Sequence, residues 1–309
     1  MPIPHLNGAF VAMLALSLIA PETTLAQSTS DLINDTKDPT TILTYGMGYG
    51  QTRHSGLRGI NLDNIGRLRP EWTYSLSDTR GQETFPLIHD GKMYVTTHAS
   101  TMALDLVTGR QIWKTLVDYP ADTPRVACCG IVNRRVALYE GKVFRTTLDA
   151  HVIALDAETG NELWRTQSID HKTGYSMTVA PMMADGVLIT GISGGEYGIR
   201  GYLEGYDPDT GVRVWRTYTI PAPGEPGSET WQDGGDAWTR GGAPTWLTGS
   251  YDPELNTVFG VPEIRRLGMR RHAREIIFMP PLSSRLIPKL APSSGTIKPR
   301  RMTRLISTL

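Results

Sequence analysis

The apolar positions of this sequence alternate in short runs that return at regular intervals. Val152 and Ala154 alternate just before a turn from Asp156 to Gly160, and a second run follows that ends in Trp164. An alternation of period two predicts a strand with one buried face. The pattern Asp-x-x-Thr-Gly predicts a tight turn, in which the glycine takes a positive φ and the aspartate bonds to local amides. The segment therefore predicts two antiparallel strands, the second of which carries a tryptophan.

This unit occurs three times, at residues 103–113, 154–164 and 205–215, and a degenerate forerunner ends at Trp72. Each copy follows a hairpin signal of the type Asp-Gly or Glu-Gly, as at Asp90-Gly91. Four short strands in roughly 50 residues are the size of one blade of a β-propeller. We predict an all-β fold of four-stranded blades, in which each repeated tryptophan occupies the same position and its indole docks between neighbouring blades.

The composition agrees with a turn-rich β protein. The 309 residues include 32 Gly and 21 Pro, and 20% are charged. The 31 basic and 31 acidic residues cancel, so the charge gives no reason to expect a nucleic acid as partner.

The first residues are typical of an export signal. An apolar run from Gly8 to Ala20 precedes Thr24-Leu25-Ala26, a small-x-small cleavage site. The run is too short to cross a bilayer comfortably. We expect residues 1–26 to be a cleaved signal peptide, with a disordered tail or a retained anchor as the alternatives. Export would place the protein in the periplasm, where disulfides persist.

Two short motifs carry candidate chemistry. Cys128 and Cys129 are adjacent and are the only cysteines of the chain. They could be two free thiols, half of a metal site or a vicinal disulfide. The second motif is Ser193-Gly194-Gly195-Glu196, where the glycines would let the backbone approach a ligand closely.

The cysteine pair, the Ser-Gly-Gly-Glu run and the tryptophan repeats occur together in an order that resembles the quinoprotein alcohol dehydrogenases. The resemblance covers about residues 44–259. It implies an eight-bladed propeller, of which this chain covers the first three to four blades. It also implies pyrroloquinoline quinone (PQQ) and calcium as cofactors, with a lanthanide as an open alternative. Implied partners are a small primary alcohol, cytochrome c as electron acceptor and, as one option, the surface of the inner membrane.

The resemblance also assigns roles to individual residues. Cys128 and Cys129 would form a disulfide above the quinone, and Trp246 would stack below it. Arg134 would pair with a quinone carboxylate, Glu83 would lie near that carboxylate, and Glu196 would ligate calcium. The full set of expected cofactor-binding residues is Glu83, Cys128, Cys129, Arg134, Thr178, Ser193, Gly194, Gly195 and Trp246. Taken singly, each could instead be a surface, turn or core residue.

The sequence changes character after Phe259, where arginines crowd a stretch without repeats. One interpretation is a basic interaction tail. Another is the loss of one nucleotide after the Phe259 codon. With suitable codons, residues 263–269 then decode to Gly-Asn-Pro-Ala-Pro-Trp-Asn. This restores the asparagine that the resemblance implies as second calcium ligand. Residues 285–295 decode to Ala-Leu-Asp-Pro-Glu-Thr-Gly-Thr-Ile-Lys-Trp, a fourth tryptophan repeat.

We therefore expect residues 27–259 to be a partial propeller and residues 260–309 to be an out-of-frame tail, disordered or irregular. The aspartate that serves the family as catalytic base would then be lost, and this chain would be a truncated, inactive product. The alternative function is that of a non-catalytic tryptophan-repeat propeller, a scaffold of outer-membrane assembly. Such a scaffold has no reason to carry the cofactor residues above. The short connection between Trp215 and Trp246 favours ethanol-type over methanol-type alcohol use.

Overall fold

A computed structural model describes residues 27–127, 130–230 and 235–260, together with the backbone of a short strand at 277–278. Within these ranges the strands form four antiparallel sheets. The first sheet contains β1 (Leu87–His89), β2 (Lys92–Thr97), β3 (Ser100–Asp105) and β4 (Gln111–Leu116). The second sheet contains β5 (Ala137–Tyr139), β6 (Lys142–Thr146), β7 (His151–Asp156) and β8 (Glu162–Gln167). The third sheet contains β9 (Met182–Ala184), β10 (Val187–Gly191), β11 (Tyr202–Tyr206) and β12 (Arg213–Tyr218), and the fourth contains β13 (Ser250–Asp252), β14 (Thr257–Gly260) and β15 (Ile277–Phe278).

Helical structure in the described ranges is short. The segments are α1 (Thr29–Ile33) and the 3-10 turns Asp35–Lys37, Ile65–Arg67, Thr123–Val126, His171–Thr173, Gly195–Tyr197, Ser228–Thr230 and Ala237–Arg240. None of the helices in this part of the chain is long and apolar enough to cross a membrane.

The repeated tryptophans lie at one structural position. In the first three sheets each strand pairs with the next one along the chain. Trp113 lies opposite Ala103 and Trp164 lies opposite Ala154, while in the third sheet Gly205 faces the tryptophan of β12. A register shift follows the facing residue in all three sheets. The predicted all-β fold of four-stranded blades is confirmed, and so is the equivalence of the tryptophans.

Each indole of the first three tryptophans docks on the turn of the following sheet. The donor–acceptor distances are 3.1 Å from Trp72 Nε1 to Leu106 O, 3.0 Å from Trp113 Nε1 to Ala157 O and 3.0 Å from Trp164 Nε1 to Pro208 O. The ring lies against the glycine that ends the same turn. A Cβ on Gly160 would be 2.6 Å from the Trp113 ring, and φ there is 72°. Glycine is therefore required for the turn, as predicted, and also for the docking of the indole between blades, a requirement which the repeat alone did not show.

Residues 27–51 cross the first strands of successive sheets. Ile42 bridges to Ile88 of β1, and Thr29 Oγ1 lies 3.0 Å from the Tyr139 hydroxyl of β5. Tyr49 donates from its hydroxyl to the carbonyl of Met183 in β9 at 2.8 Å. This segment thus contacts the first strand of each of the first three blades and links those blades to one another.

Several predicted features lie outside the described residues: the signal peptide at 1–26, both cysteines, and the tail except for residues 260 and 277–278. In the tail, β15 pairs with β14 through Phe259 and Phe278. The frameshift and the domain limits therefore stay predictions.

Candidate functional site

The predicted site residues come from connections that emerge at the same end of successive blades. Glu83, Arg134, Thr178 and Trp246 each lie a few residues before the first strand of a sheet, namely β1, β5, β9 and β13. Ser193 follows β10, which runs antiparallel to β9 and so ends where β9 begins. The blade pattern alone therefore directs these side chains to one face of the molecule.

Four of these side chains form a continuous chain of polar contacts. Arg134 Nη2 lies 2.7 Å from Glu83 Oε2, and Arg134 Nη1 donates to Thr178 Oγ1 at 2.6 Å. Thr178 Oγ1 in turn lies 3.0 Å from Ser193 Oγ. The guanidinium carbon of Arg134 stands 4.6 Å from the ring centroid of Trp246. We call these five residues the Arg134 cluster.

The backbone holds the same arrangement. The amide of Arg134 donates to the carbonyl of Thr178 at 3.2 Å, and Ser176 and Ser193 exchange two backbone hydrogen bonds. The Arg134–Thr178 bond joins the connections that precede the second and third sheets, so backbone hydrogen bonds as well as side-chain contacts position Arg134, Thr178 and Ser193.

Within the cluster the charge of Arg134 is balanced by that of Glu83, and Arg134 is partly desolvated. Burial lowers the pKa of Arg134, while the Glu83 carboxylate opposes this shift. Guanidinium nevertheless stays protonated at neutral pH. The Glu83 side chain is 45% exposed, so its ion pair with Arg134 is screened and contributes at most about 1 kcal/mol. A guanidinium with two hydroxyls beside an indole face suits a flat anionic ligand, because guanidinium binds carboxylates bidentately and indole offers a large stacking surface.

The two glycines of the Ser-Gly-Gly-Glu run pack against protein. A Cβ on Gly194, where φ is 121°, would lie 2.1 Å from the carbonyl oxygen of Gly174. A Cβ on Gly195 would lie 2.9 Å from the ring of Pro244. The sequence suggested close approach of a ligand as their reason. In the structure, neighbouring backbone and the segment that leads to Trp246 also leave no room for a side chain at these positions, and the approach of a ligand stays a prediction.

Glu196 follows these glycines on the 3-10 turn Gly195–Tyr197 and is partly exposed. Among the described residues, no three His, Cys, Asp or Glu side chains gather into a metal site. The expected role of Glu196 as metal ligand, and that of Cys128 and Cys129 as cofactor ceiling, stay predictions.

Sequence reasoning missed Arg200, which packs against the segment that precedes Trp246. Its guanidinium carbon lies 3.8 Å from the ring centroid of Tyr218 and 4.7 Å from that of Trp238, and it donates twice to the carbonyl of Ile220. Residue 200 also bridges to Gly242, just before Trp246. Arg200 lies between a glycine-rich loop and a strand, and no repeated pattern in the sequence indicates that its side chain packs against this segment.

A known protein family matches most of the chain. The family described as PQQ, glucose/ethanol/alcohol dehydrogenase, beta-propeller domain, matches residues 43–274. The chain belongs to the quinoprotein alcohol dehydrogenases. The resemblance inferred from the sequence is thereby confirmed, and the scaffold alternative is not supported.

Individual quinoproteins are similar over much of the chain. Quinoprotein alcohol dehydrogenase PedH of Pseudomonas putida is 38% identical, with 94% of this chain and 51% of that protein covered. Quinoprotein ethanol dehydrogenase of Pseudomonas aeruginosa is 38% identical, with 74% and 41% covered. The solved structure of a europium-containing methanol dehydrogenase superposes with a TM-score of 0.71 at 35% identity, covering 76% of this chain and 45% of that one. The chain therefore spans about half the length of the quinoproteins it matches.

Proposed function

We propose that this chain carries part of the PQQ-binding site of a dehydrogenase that oxidises primary alcohols. The observation that carries the proposal is the Arg134 cluster, in which a guanidinium and two hydroxyls converge beside the face of Trp246. Family membership supplies the identity of the ligand, because the matching family is described by PQQ.

The residues present fit this cofactor. PQQ is flat and carries carboxylates, and the cluster offers a stacking face and a cation with adjacent hydroxyl donors. Glu196 lies three residues after Ser193 and would hold a hard cation through its carboxylate. We propose calcium as that cation, with a lanthanide as the alternative. When bound, PQQ and the metal supply an electrophilic carbonyl that accepts hydride from the alcohol.

The tasks of the protein residues follow from their contacts. Arg134 would bind a carboxylate of the ligand in place of part of its contact with Glu83. Thr178 and Ser193 share a hydrogen bond and can rotate their hydroxyls to donate to the same group. Trp246 would cover one face of the ligand and exclude water from it.

The finer parts of the proposal concern the protein that the restored reading frame would encode. We propose ethanol-type substrates, cytochrome c as electron acceptor, export to the periplasm and a Cys128–Cys129 disulfide over the quinone. If the frameshift is real, the 309-residue polypeptide itself lacks the catalytic aspartate and oxidises no alcohol.

Equilibrium binding tests the proposal without requiring turnover. The 309-residue chain is titrated with PQQ in the presence of calcium, and quenching of tryptophan fluorescence is followed. We expect saturable binding that weakens at least tenfold in Arg134→Met, because a charge-assisted hydrogen bond contributes about 1.5–3 kcal/mol. Trp246→Leu should weaken binding as well.

The matched control for Arg134→Met is Arg240→Met. Arg240 is exposed and pairs with Asp236 rather than with a residue of the Arg134 cluster. This variant should bind PQQ as the parent chain does. Equal affinity in Arg134→Met and Arg240→Met, or no saturable binding by the parent chain, would refute the proposal.

A further inference from the structure

Arg135 adjoins Arg134 in sequence, but its side chain enters the interior instead of the site. It is 2% exposed. Its Nη1 donates to the carbonyl of Thr44 at 3.1 Å. Its guanidinium carbon lies 4.9 Å from the ring centroid of Tyr45 and 5.6 Å from that of Phe85. Arg135 therefore contacts both the N-terminal segment and the residues that lead into the first blade.

This burial is costly because no carboxylate pairs with the guanidinium in the part of the chain that the structure describes. Burial lowers the pKa of Arg135 to about 9. Asp35 is a nearby acid, but its oxygens accept hydrogen bonds from the amides of Leu43, Thr44 and Gly48. Among the described residues, Arg135 Nε finds no hydrogen-bond partner. Since an unpaired buried charge costs several kcal/mol, its contacts with backbone and rings must offset that cost.

The contacts of Arg135 lead directly to the Arg134 cluster. Phe85, against which the guanidinium packs, donates from its amide to the carbonyl of Arg134 at 3.3 Å. Glu83 lies two residues before Phe85 and reaches Arg134 at 2.7 Å. Tyr45 supports the same ring in an edge-to-face contact, with 6.5 Å between the centroids of Tyr45 and Phe85. The position of Glu83 relative to Arg134 thus depends on where Phe85 is held.

We propose that Arg135 is a positioning residue for the cofactor site. It clamps Thr44 and Phe85 together and thereby sets the distance between Glu83 and Arg134. The cofactor part of this inference rests on the function proposed above, whereas the clamp itself is a property of the cofactor-free chain.

Arg145 provides a control for the general effect of a buried arginine. It is 1% exposed, and burial lowers its pKa to about 9 as well. It donates to Thr101 Oγ1 and to the carbonyl of His98, both at 3.0 Å, and so joins the first two sheets through residues other than Thr44 and Phe85. Replacing Arg145 should destabilise the fold without moving Glu83.

The first measurement is hydrogen exchange of the cofactor-free chain, followed by mass spectrometry. In Arg135→Met we expect exchange of the peptide that contains Phe85 to accelerate about tenfold, because its amide is released from the Arg134 carbonyl. Arg135→Lys retains a charge and a donor for Thr44 and should recover much of the protection. Arg145→Met should leave this peptide as protected as in the parent chain.

Phe85→Leu removes the ring that Arg135 contacts but retains an apolar side chain, and it serves if Arg135→Met fails to fold. It should accelerate the same peptide. Unchanged exchange in a folded Arg135→Met or Phe85→Leu variant, or equal acceleration in Arg145→Met, would overturn the clamp.

The second measurement is the PQQ titration with calcium. Arg135→Met should weaken binding about fivefold to tenfold, less than Arg134→Met, whereas Arg145→Met should not change it. If the clamp is seen by exchange but no variant or parent chain binds PQQ, the proposed function fails and the clamp stands. If the parent chain binds PQQ and Arg135→Met binds equally well, the positioning role is wrong.

Discussion

The docking of tryptophan on glycine can be tested by adding a single methyl group. In Gly160→Ala the new Cβ would lie 2.6 Å from two ring atoms of Trp113 and 2.8 Å from Thr115 Oγ1. The residue would also keep a φ near 72°, which costs a non-glycine residue about 1–2 kcal/mol. Overpacking of a close contact adds about 1–3 kcal/mol. We therefore expect a loss of about 2–5 kcal/mol of unfolding free energy.

Gly141→Ala separates these two contributions. Gly141 has a φ of 71° in the same sheet, but no atom lies within 4 Å of a Cβ placed there. It should therefore lose only the backbone part, about 1–2 kcal/mol. The assay is urea unfolding of both variants and the parent chain, read as the shift of the midpoint at constant slope. Equal losses in the two variants would show that the docking contact contributes nothing, and the account of blade packing would be refuted.

Three further predictions concern other parts of the chain. Glu204 is fully buried and accepts from Arg213, Arg216, Ser168 and Tyr206, so Glu204→Ala should cost about 3–5 kcal/mol in urea unfolding, and a loss below 1 kcal/mol would contradict the network. Burial and the nearby Arg80 lower the pKa of His98 below its ordinary value of about 6.5. The folded state therefore favours the neutral imidazole. The stability that His98 contributes is present above about pH 6.5 and is lost as the pH falls below that value. Unfolding midpoints from pH 7 to pH 5 should therefore fall less in His98→Gln than in the parent chain, and equal slopes would refute this role. Finally, the 309-residue chain should not reduce a dye with ethanol and PQQ, and restoring one nucleotide after the Phe259 codon in the full gene should restore dye reduction; robust ethanol oxidation by the 309-residue chain would refute the frameshift.

The fold was predictable because its determinants are local and repeated. The turn from Asp156 to Gly160 and the tryptophan after it occur at three places, so one physical interpretation applies to each blade. The convergence of Arg134, Thr178 and Ser193 followed from a family resemblance, and the order of the strands explains it.

What could not be predicted depends on packing between distant segments. The contacts of Arg135 with Thr44 and of Arg200 with Trp238 join positions far apart or irregularly spaced, and no periodicity marks them. The contact of Gly194 with the carbonyl oxygen of Gly174 could not be predicted for the same reason.

The most direct test of the central claim is a crystal structure of this chain grown with PQQ and calcium. The account predicts the quinone rings against the face of Trp246, with a carboxylate bound by Arg134 and by the hydroxyl of Thr178. PQQ bound away from the Arg134 cluster, or PQQ whose rings do not lie against Trp246, would contradict it.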